Sequence, residues 1–424
     1  MTEAMVVQAG PDIRPQLDAR PLTRTVLAAL DGAGVTWSLV RGSSGGGDVD
    51  VLVAAADRTR AAGVLAAHGL VRLRGYGRGT HAFFLGLDDA TATWVEFDLV
   101  TEVSFGRRVE FRTAAAPACL ARRRRVDGAW VLAPGDEFWM LLLHCLLDKG
   151  AFADRHLRRL RRLASGASLD SPLRRALPPA IPSRTLLAHA RCGDWRALAA
   201  TGPRVARAWR RAAPAAVTLN RAVAAALRAV ERPLQAWSRR GAAVALLGPD
   251  GCGKSTLAAG VASAFYFPVR GVYMGLWPTT DAPSGRVATT LRVVRRPFAV
   301  WRRYLVALRH RALGRLVLFD RYVYDARLPP RGGLTWLKRP YFAVLSRCCP
   351  APDLVILLDA PGHVMHARSG EYDADHLEAE RRQYARIVAT LPRVARIDAD
   401  RPAEAVRRDA VAHVWRLYQA RSHR

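Results

Sequence analysis

Apolar and polar positions follow two different rhythms along the chain. Residues 1 to about 20 are polar and proline-containing without periodicity, which predicts a loose tail. From 21 to about 115, short apolar runs (TWSLVRG, DVDVLVA, FFLGL and WVEFDLV) interleave with helical patterns near 22–33 and 57–69. Helical spacing then dominates from 136 to 238, clearest in DEFWMLLLHCLLDKG (136–150) and broken by the proline-rich LPPAIPS (177–183). From 239 to the end, strands return as AAVALL, VYMGLW, RLVLFD, DLVILLDA and VARIDA, separated by helical stretches. Strands alternating with helices predict an α/β fold with a parallel sheet and with ligands at the strands' carboxyl ends.

The first strand of the last region runs into GPDGCGKST (248–256). Gly248, Gly251 and Gly253 let the backbone turn its N–H groups inward on an anion. Lys254 then reaches phosphate as a compact point charge and Ser255 ligates Mg²⁺, with Asp250 and Thr256 in the same nucleotide-binding loop. STLAAGVASAF (255–265) reads as a helix whose positive N-terminus adds to the anion site. The implied cofactors are ATP and Mg²⁺. Lys254 stands out further because 62 of the 65 basic residues are arginine; only Lys149 and Lys338 share its type. Cys252 lies inside the loop, where nearness to a helix N-terminus predicts a reactive thiol whose alkylation blocks nucleotide.

Two further strand ends carry charge. RLVLFD leads into Asp320-Arg321-Tyr322, where a carboxylate can hold Mg²⁺ through water and an arginine can fork a second phosphate. The plainer reading is a surface Asp–Arg pair. After DLVILLDA, the charged stretch PGHVMHARSGEYDADHLEAERRQY (361–384) suits a lid that lowers an arginine over a transferring phosphoryl group.

In the first region, Asp48 and Asp50 lie two apart on one strand face, and Glu96 and Asp98 share a face of another. Carboxylates on adjacent strands, preceded by Gly42-Ser43, are what a metal-dependent nucleotidyl transfer uses. Held close, such like charges need an offsetting cation, so Asp48, Asp50 and Asp98 are candidate metal ligands. The plain alternative is a β-hairpin with solvated aspartates, and a middle one is a domain that binds nucleotide without turnover. His144 and Asp148, four apart, read as a packed helix with a satisfied histidine that covers the sheet.

Length and charge change this picture little. A chain of 424 residues holds two or three domains, and no run of 18 uncharged apolar residues appears. The net charge of +29 is spread over both halves and almost entirely arginine, so it reads as compositional bias and points to no specific nucleic acid. The segment LRVVRRPFAVWRRYLVALRHRALGR (291–315) reads first as a helix packed on a sheet and second as a helix on a membrane surface. The N-terminus shows no secretory pattern, and six scattered cysteines, with Cys348 and Cys349 reading as buried thiols at a helix end, suit a cytoplasmic protein.

Residues 242–418 resemble thymidylate kinase and its nucleoside-monophosphate-kinase relatives, on GPDGCGKST, DRYVYD, ILLDAP and IDADRPAEAV. The resemblance implies a P-loop sheet flanked by helices and ATP- and Mg²⁺-dependent phosphoryl transfer to a nucleoside monophosphate, typically thymidylate. It sets Asp250 near the acceptor's sugar and Arg321 on the acceptor phosphate, and makes Arg368 the lid arginine. The segment GVYMGLWP lacks the acceptor pattern of a housekeeping thymidylate kinase, so the acceptor stays open. The first region resembles the nucleotidyltransferase fold through Gly-Ser, Asp-x-Asp and the later Asp. The expected organisation is a tail (1–20), a small nucleotidyltransferase-like α/β domain (21–135), a helical segment (136–238) and a thymidylate kinase-like domain (239–424). The leading expectation is an enzyme, with lysine, serine and strand-end Asp–Arg all intact, that takes a nucleotide or small phosphorylated substrate; a homodimer stays open. The rivals are a non-catalytic ATP-binding regulator and a kinase for a specialised small molecule such as a sugar or natural-product precursor.

Overall fold

The computed structural model describes residues 20–41, 48–73, 80–238, 241–276, 286–329 and 335–422. The chain forms two compact units, Met1–Pro233 and Leu234–Arg424. Residues 1–19 of the tail, together with Gly42 and Ser43, lie outside the described residues.

In the first unit, helix α1 (Pro21–Gly32) starts on a proline, whose missing N–H costs nothing in the first turn. Strands β1 (Trp37–Leu39) and β2 (Val49–Val53) follow, then α2 (Arg58–Ala67) and β3 (Val71–Arg72). The long pair β4 (His81–Asp88) and β5 (Thr93–Val100) is followed by the small hairpin β6 (Val103–Phe105) and β7 (Phe111–Thr113). After α3 (Ala116–Ala121), a second hairpin, β8 (Arg124–Val126) and β9 (Ala129–Val131), turns through Asp127 and Gly128. Both turn residues have positive φ, 45° and 84°, as a tight hairpin with right-handed strand twist demands. The helices are α4 (Pro134–Leu143), continued as a π-helical turn over His144–Lys149, then α5 (Asp154–Ala164), α6 (Pro172–Arg175), α7 (Ser183–Cys192), α8 (Trp195–Ala212) and α9 (Pro214–Ser238).

Seven strands form one mixed sheet in the order β3-β4-β5-β2-β1-β9-β8. Strand alternation sends Val49, Val51 and Val53 to one face, where they pack with Val26 and Leu30 of α1 and Leu65 of α2. Leu52 points the other way and joins a core with Trp139 and Leu142 of α4, Leu163 of α5, Leu186 of α7 and Leu198 of α8. The helical stretch thus shares its core with the sheet, and the two build a single unit.

In the second unit the elements are β10 (Ala243–Leu247), α10 (Lys254–Ala264), β11 (Val269–Tyr273), α11 (Arg286–Ala312), β12 (Leu316–Asp320), α12 (Thr335–Leu345), β13 (Leu354–Asp359), α13 (Gly362–Ser369), α14 (Ala374–Val388), β14 (Val394–Asp398) and α15 (Ala403–Ser422). The five strands are all parallel, in the order β11-β12-β10-β13-β14. The central β10, AVALL, is buried at every position, because helices cover both faces and a continuous apolar run replaces alternation. The edge strand β14 does alternate, with Ala395 and Ile397 buried and Arg396 and Asp398 exposed. On one face, Val300 and Ala307 of α11 and Tyr384 of α14 pack over Ala245, Phe319 and Leu357. Helices α10 and α15 pack together, with α10 against β10 and α15 against β13 and β14. The strand order places the end of β10 between two neighbours reached in opposite directions, the crevice where open α/β sheets bind ligands.

Candidate functional site

The loop that leaves β10 is shaped by two glycines. Gly248 has φ 144°, and a Cβ there would lie 2.7 Å from Cys252 Sγ and 2.8 Å from the carbonyl oxygen of Leu358. Gly251 has φ 81°, and its Cβ would meet Met365 O at 2.5 Å and Ser369 Oγ at 2.9 Å. Both need the conformational freedom and the missing side chain of glycine. Gly253 ends the loop and Lys254 opens α10.

Lys254 is buried, and its Nζ donates to the carbonyls of Gly248 at 2.9 Å and Pro249 at 2.6 Å. It stands 3.6 Å from the Asp250 carboxylate, which accepts a short hydrogen bond from Arg321. Burial alone would raise the Asp250 carboxyl, but Lys254 and Arg321 together outweigh it and hold it below the ordinary range. Arg321 adopts φ 63°, a left-handed backbone uncommon for a residue with a side chain. Its guanidinium also lies 3.7 Å from Asp325, whose other oxygen accepts from the Tyr384 hydroxyl at 3.0 Å. Lysine, aspartate, arginine, aspartate and tyrosine therefore form one chain of alternating charge that runs down from the loop into the core. Asp325 and Tyr384, 59 positions apart, were not assigned a role by sequence reasoning. Asp325 sat inside a motif that was noticed; Tyr384 carried no signal of its own.

Asp320 ends β12 in register with Leu246 of β10, two residues before Gly248. It is half-buried, and among the described residues its carboxylate makes no hydrogen bond or ion pair. Ser255 and Thr256 are exposed on the first turn of α10. The cradle that a Cβ would fill, the buried ammonium at its floor, and the strand-end carboxylate of Asp320 fit a metal-bound triphosphate. Mg²⁺ needs few protein ligands when phosphates supply the rest.

Two expectations are corrected. The stretch 361–384, expected as a lid, is built of α13 and the first part of α14, joined by a turn of four residues. Within it, Arg368 donates to Ala399 O at 2.8 Å, which sets it beside the end of β14 and outside the charge chain. The arginine that organises this hairpin is Arg381, which clasps Asp359 at 2.5 Å and Glu378 at 3.1 Å. Cys252 is not a reactive thiol. It is buried beneath Gly248, and burial pushes its thiol up, so alkylation has to wait for the loop to open. Of the adjacent pair, Cys349 is buried and raised to about 12 by burial first and by Cys348 second, while Cys348 is half-buried.

The first unit holds a second polar cluster. Asp50 on β2 and Asp98 on β5 are direct partners on parallel strands. Arg41 donates to Asp50, and His81 Nδ1 lies 2.8 Å from Asp98. Burial raises the Asp98 carboxyl against the pull of His81, and its Oδ1 is buried without a hydrogen bond. Asp48 is exposed at the start of the strand. Arg41 and His81 relieve part of the repulsion between the carboxylates, yet burial and the charge of Asp50 still leave the Asp48 and Asp98 carboxyls raised. Among the described residues no three of His, Cys, Asp or Glu group to hold a metal. As they stand, these residues do not fit a metal pair. His144 Nδ1 lies 2.6 Å from Asp148, whose other oxygen accepts from Gly106 N at 2.5 Å, tying the π-helical turn to the β6–β7 hairpin.

Asp325 makes a pH dependence testable. Burial raises its carboxyl to about 6 despite Arg321 and Tyr384, whereas an unfolded aspartate titrates near pH 4. The fold holds this proton more tightly than the unfolded chain does. Its stabilising contribution is complete below about pH 4 and is lost as pH rises through about 6. Asp325→Asn, neutral throughout, should therefore gain stability relative to wild type between about pH 5 and about pH 7. Paired urea melts at the two pH values measure this, and parallel wild-type and variant values would contradict it.

Comparison with protein-family models gives no match, and no curated protein matches the chain either. The geometry gives a mixed α/β chain whose second unit carries a five-stranded, all-parallel sheet flanked by helices, consistent with a P-loop-like fold. Among the described residues no helix is long and apolar enough to cross a membrane.

Proposed function

We propose that the second unit is an ATP- and Mg²⁺-dependent phosphotransferase acting on a nucleoside monophosphate or a molecule shaped like one, with thymidylate the first acceptor to try. The observation that carries this reading is the bridge Lys254–Asp250–Arg321, which sets two cations on either side of one carboxylate at the carboxyl end of the central strand. A site that only binds ATP needs the lysine; the arginine on the far side of Asp250 suits a second phosphate. On this reading Lys254 and the loop amides hold the donor phosphates, and Ser255 and Asp320 hold the metal ion. Arg321 forks the acceptor phosphate, while Asp250 orients both cations and faces the acceptor's sugar. The bound metal ion supplies charge neutralisation on the phosphates. Arg368 can reach such a site only by leaving Ala399 O.

The test is an ADP-release screen of the full chain against nucleoside monophosphates, nucleosides and sugars, run with wild type and Arg321→Lys. Replacing a planar fork by a point charge should lower kcat/KM for the acceptor by about tenfold or more and change the ATP constant by about twofold or less. Equal losses on both substrates would assign Arg321 to the donor. ATP binding without turnover on any acceptor would favour the regulatory alternative, and turnover on a sugar would favour the specialised kinase.

For residues 21–135 the reading is a nucleotidyltransferase-like domain that binds a nucleotide or phosphorylated ligand. Its support is the paired Asp50 and Asp98 with an unpartnered buried oxygen between neighbouring strands. Thermal melts of the full chain with nucleoside triphosphate, with and without Mn²⁺, should show a rise that Asp50→Asn removes. A melt unchanged by triphosphate reduces this part to a structural domain. Cytoplasmic residence and a homodimer belong to the same proposal.

A further inference from the structure

Helix α11 has two faces with opposite uses. Val300 and Ala307 are buried against the sheet, and the inward arginines are spent on structure: Arg303 donates to Gly275 O and stacks over Tyr273, while Arg311 pairs with Asp353. The outward face is apolar. Phe298 is 74% exposed, Trp301 44%, Leu305 53% and Leu308 44%, a spacing that lines them up along one side of the helix. Arg302 and Arg309 lie one position beyond Trp301 and Leu308, so they border this stripe, with Arg295 continuing the border toward the N-terminus. All three are exposed, and none is ion-paired among the described residues. Over Arg286–Ala312 the sequence has eight arginines and no acidic residue.

We propose that this face of α11 lies on the surface of a bilayer rich in anionic phospholipid. The stripe supplies large side chains for the acyl boundary, and the arginine border supplies charge complementary to phosphate headgroups. Arginine can keep its head at the headgroup level while its stem lies along the apolar surface. A second copy of the chain is a poorer occupant. A two-fold contact centred on this stripe would bring the arginine borders of the two copies together with no carboxylate on the helix to relieve them. Since no helix among the described residues is apolar enough to span, the attachment is peripheral and reversible.

The test is co-sedimentation of the full-length protein with vesicles of phosphatidylcholine alone or mixed with phosphatidylglycerol, at low and high salt. Wild type should pellet with the anionic vesicles and much less with the neutral ones. Phe298→Ser with Leu305→Ser leaves the charge unchanged and should weaken partitioning on the order of tenfold at both salt concentrations. Arg302→Gln with Arg309→Gln should weaken it mainly at low salt. These positions are exposed, and circular dichroism checks that both variants fold. No binding to either vesicle overturns the proposal. So does a serine variant that binds as wild type does, because the adhesion would then come from diffuse basic charge. Conversion of a dimer to a monomer by the serine pair, with vesicle binding unchanged, would assign the face to self-contact and overturn it as well.

Discussion

Lys254→Ala is expected to lower phosphoryl transfer by roughly 10³-fold while leaving the chain folded. The ammonium is buried and faces two backbone carbonyls, the Asp250 carboxylate and, at 3.8 Å, the Cys252 sulfur. Positive charge placed in this way contributes little to the sheet and much to any polyanion that enters the loop. Removing it leaves the carbonyls of Gly248 and Pro249 without that donor, at about 1–3 kcal/mol of stability. It also leaves Asp250 with Arg321 as its remaining cation, so the carboxyl should move upward and the empty loop should bind anions less readily. Lys254→Arg should not restore turnover, because a planar guanidinium cannot occupy the pocket of a compact ammonium. Single-turnover ADP release and a melt on the same preparations test this. Turnover near wild type in Lys254→Ala would remove the basis for assigning phosphoryl transfer to this unit.

Gly248→Ala should strongly destabilise the second unit. The new Cβ would sit 2.8 Å from the carbonyl oxygen of Leu358, which belongs to the buried neighbouring strand and cannot withdraw, and 2.7 Å from Cys252 Sγ. Its φ of 144° is strained for alanine as well. Overpacking and backbone strain together cost about 3 kcal/mol, and the loop should lose nucleotide affinity with it. Gly271→Ala is the matched control, since nothing lies within 4 Å of its Cβ position and the residue is on exposed strand β11. A denaturation midpoint in Gly248→Ala equal to that of Gly271→Ala would show that the loop yields more easily than its geometry indicates.

The second unit was readable because its strands are short apolar runs that end on glycine, aspartate or proline. AAVALL, RLVLFD and DLVILLDA each contain an observed strand within a residue or so. The first strand after α10 lay earlier than expected: VYMGLW named its end, whereas Val269–Tyr273 starts among Arg270 and Gly271, which give an edge strand no apolar signature. The β8–β9 hairpin went unread although Asp127-Gly128 is a strong hairpin signal, because the flanking RRRRV and AWV do not alternate. Side-chain partners were beyond the reach of local pattern. That Arg41 and His81 would take Asp50 and Asp98 depends on the register of three strands, and that Tyr384 would cap Asp325 depends on where α14 crosses the sheet. Charge made 361–384 read as a lid; the buried stripe of Leu377, Tyr384, Ile387 and Val388 on α14 was not part of that reading.

The contact between Gly251 and the backbone of α13 has a mechanical consequence. With Met365 O and Ser369 Oγ filling the space where a side chain would be, the loop has no clearance on that side. α13 is in turn geared to β13, since Gly362 N donates to Glu378, and Glu378 shares Arg381 with Asp359. A loop that swells around phosphate must push this train of parts, which runs on through the turn at Gly370 between the two helices. Occupancy of the cradle would therefore be felt as torque on α14, the helix whose Tyr384 grips the far end of the charge chain.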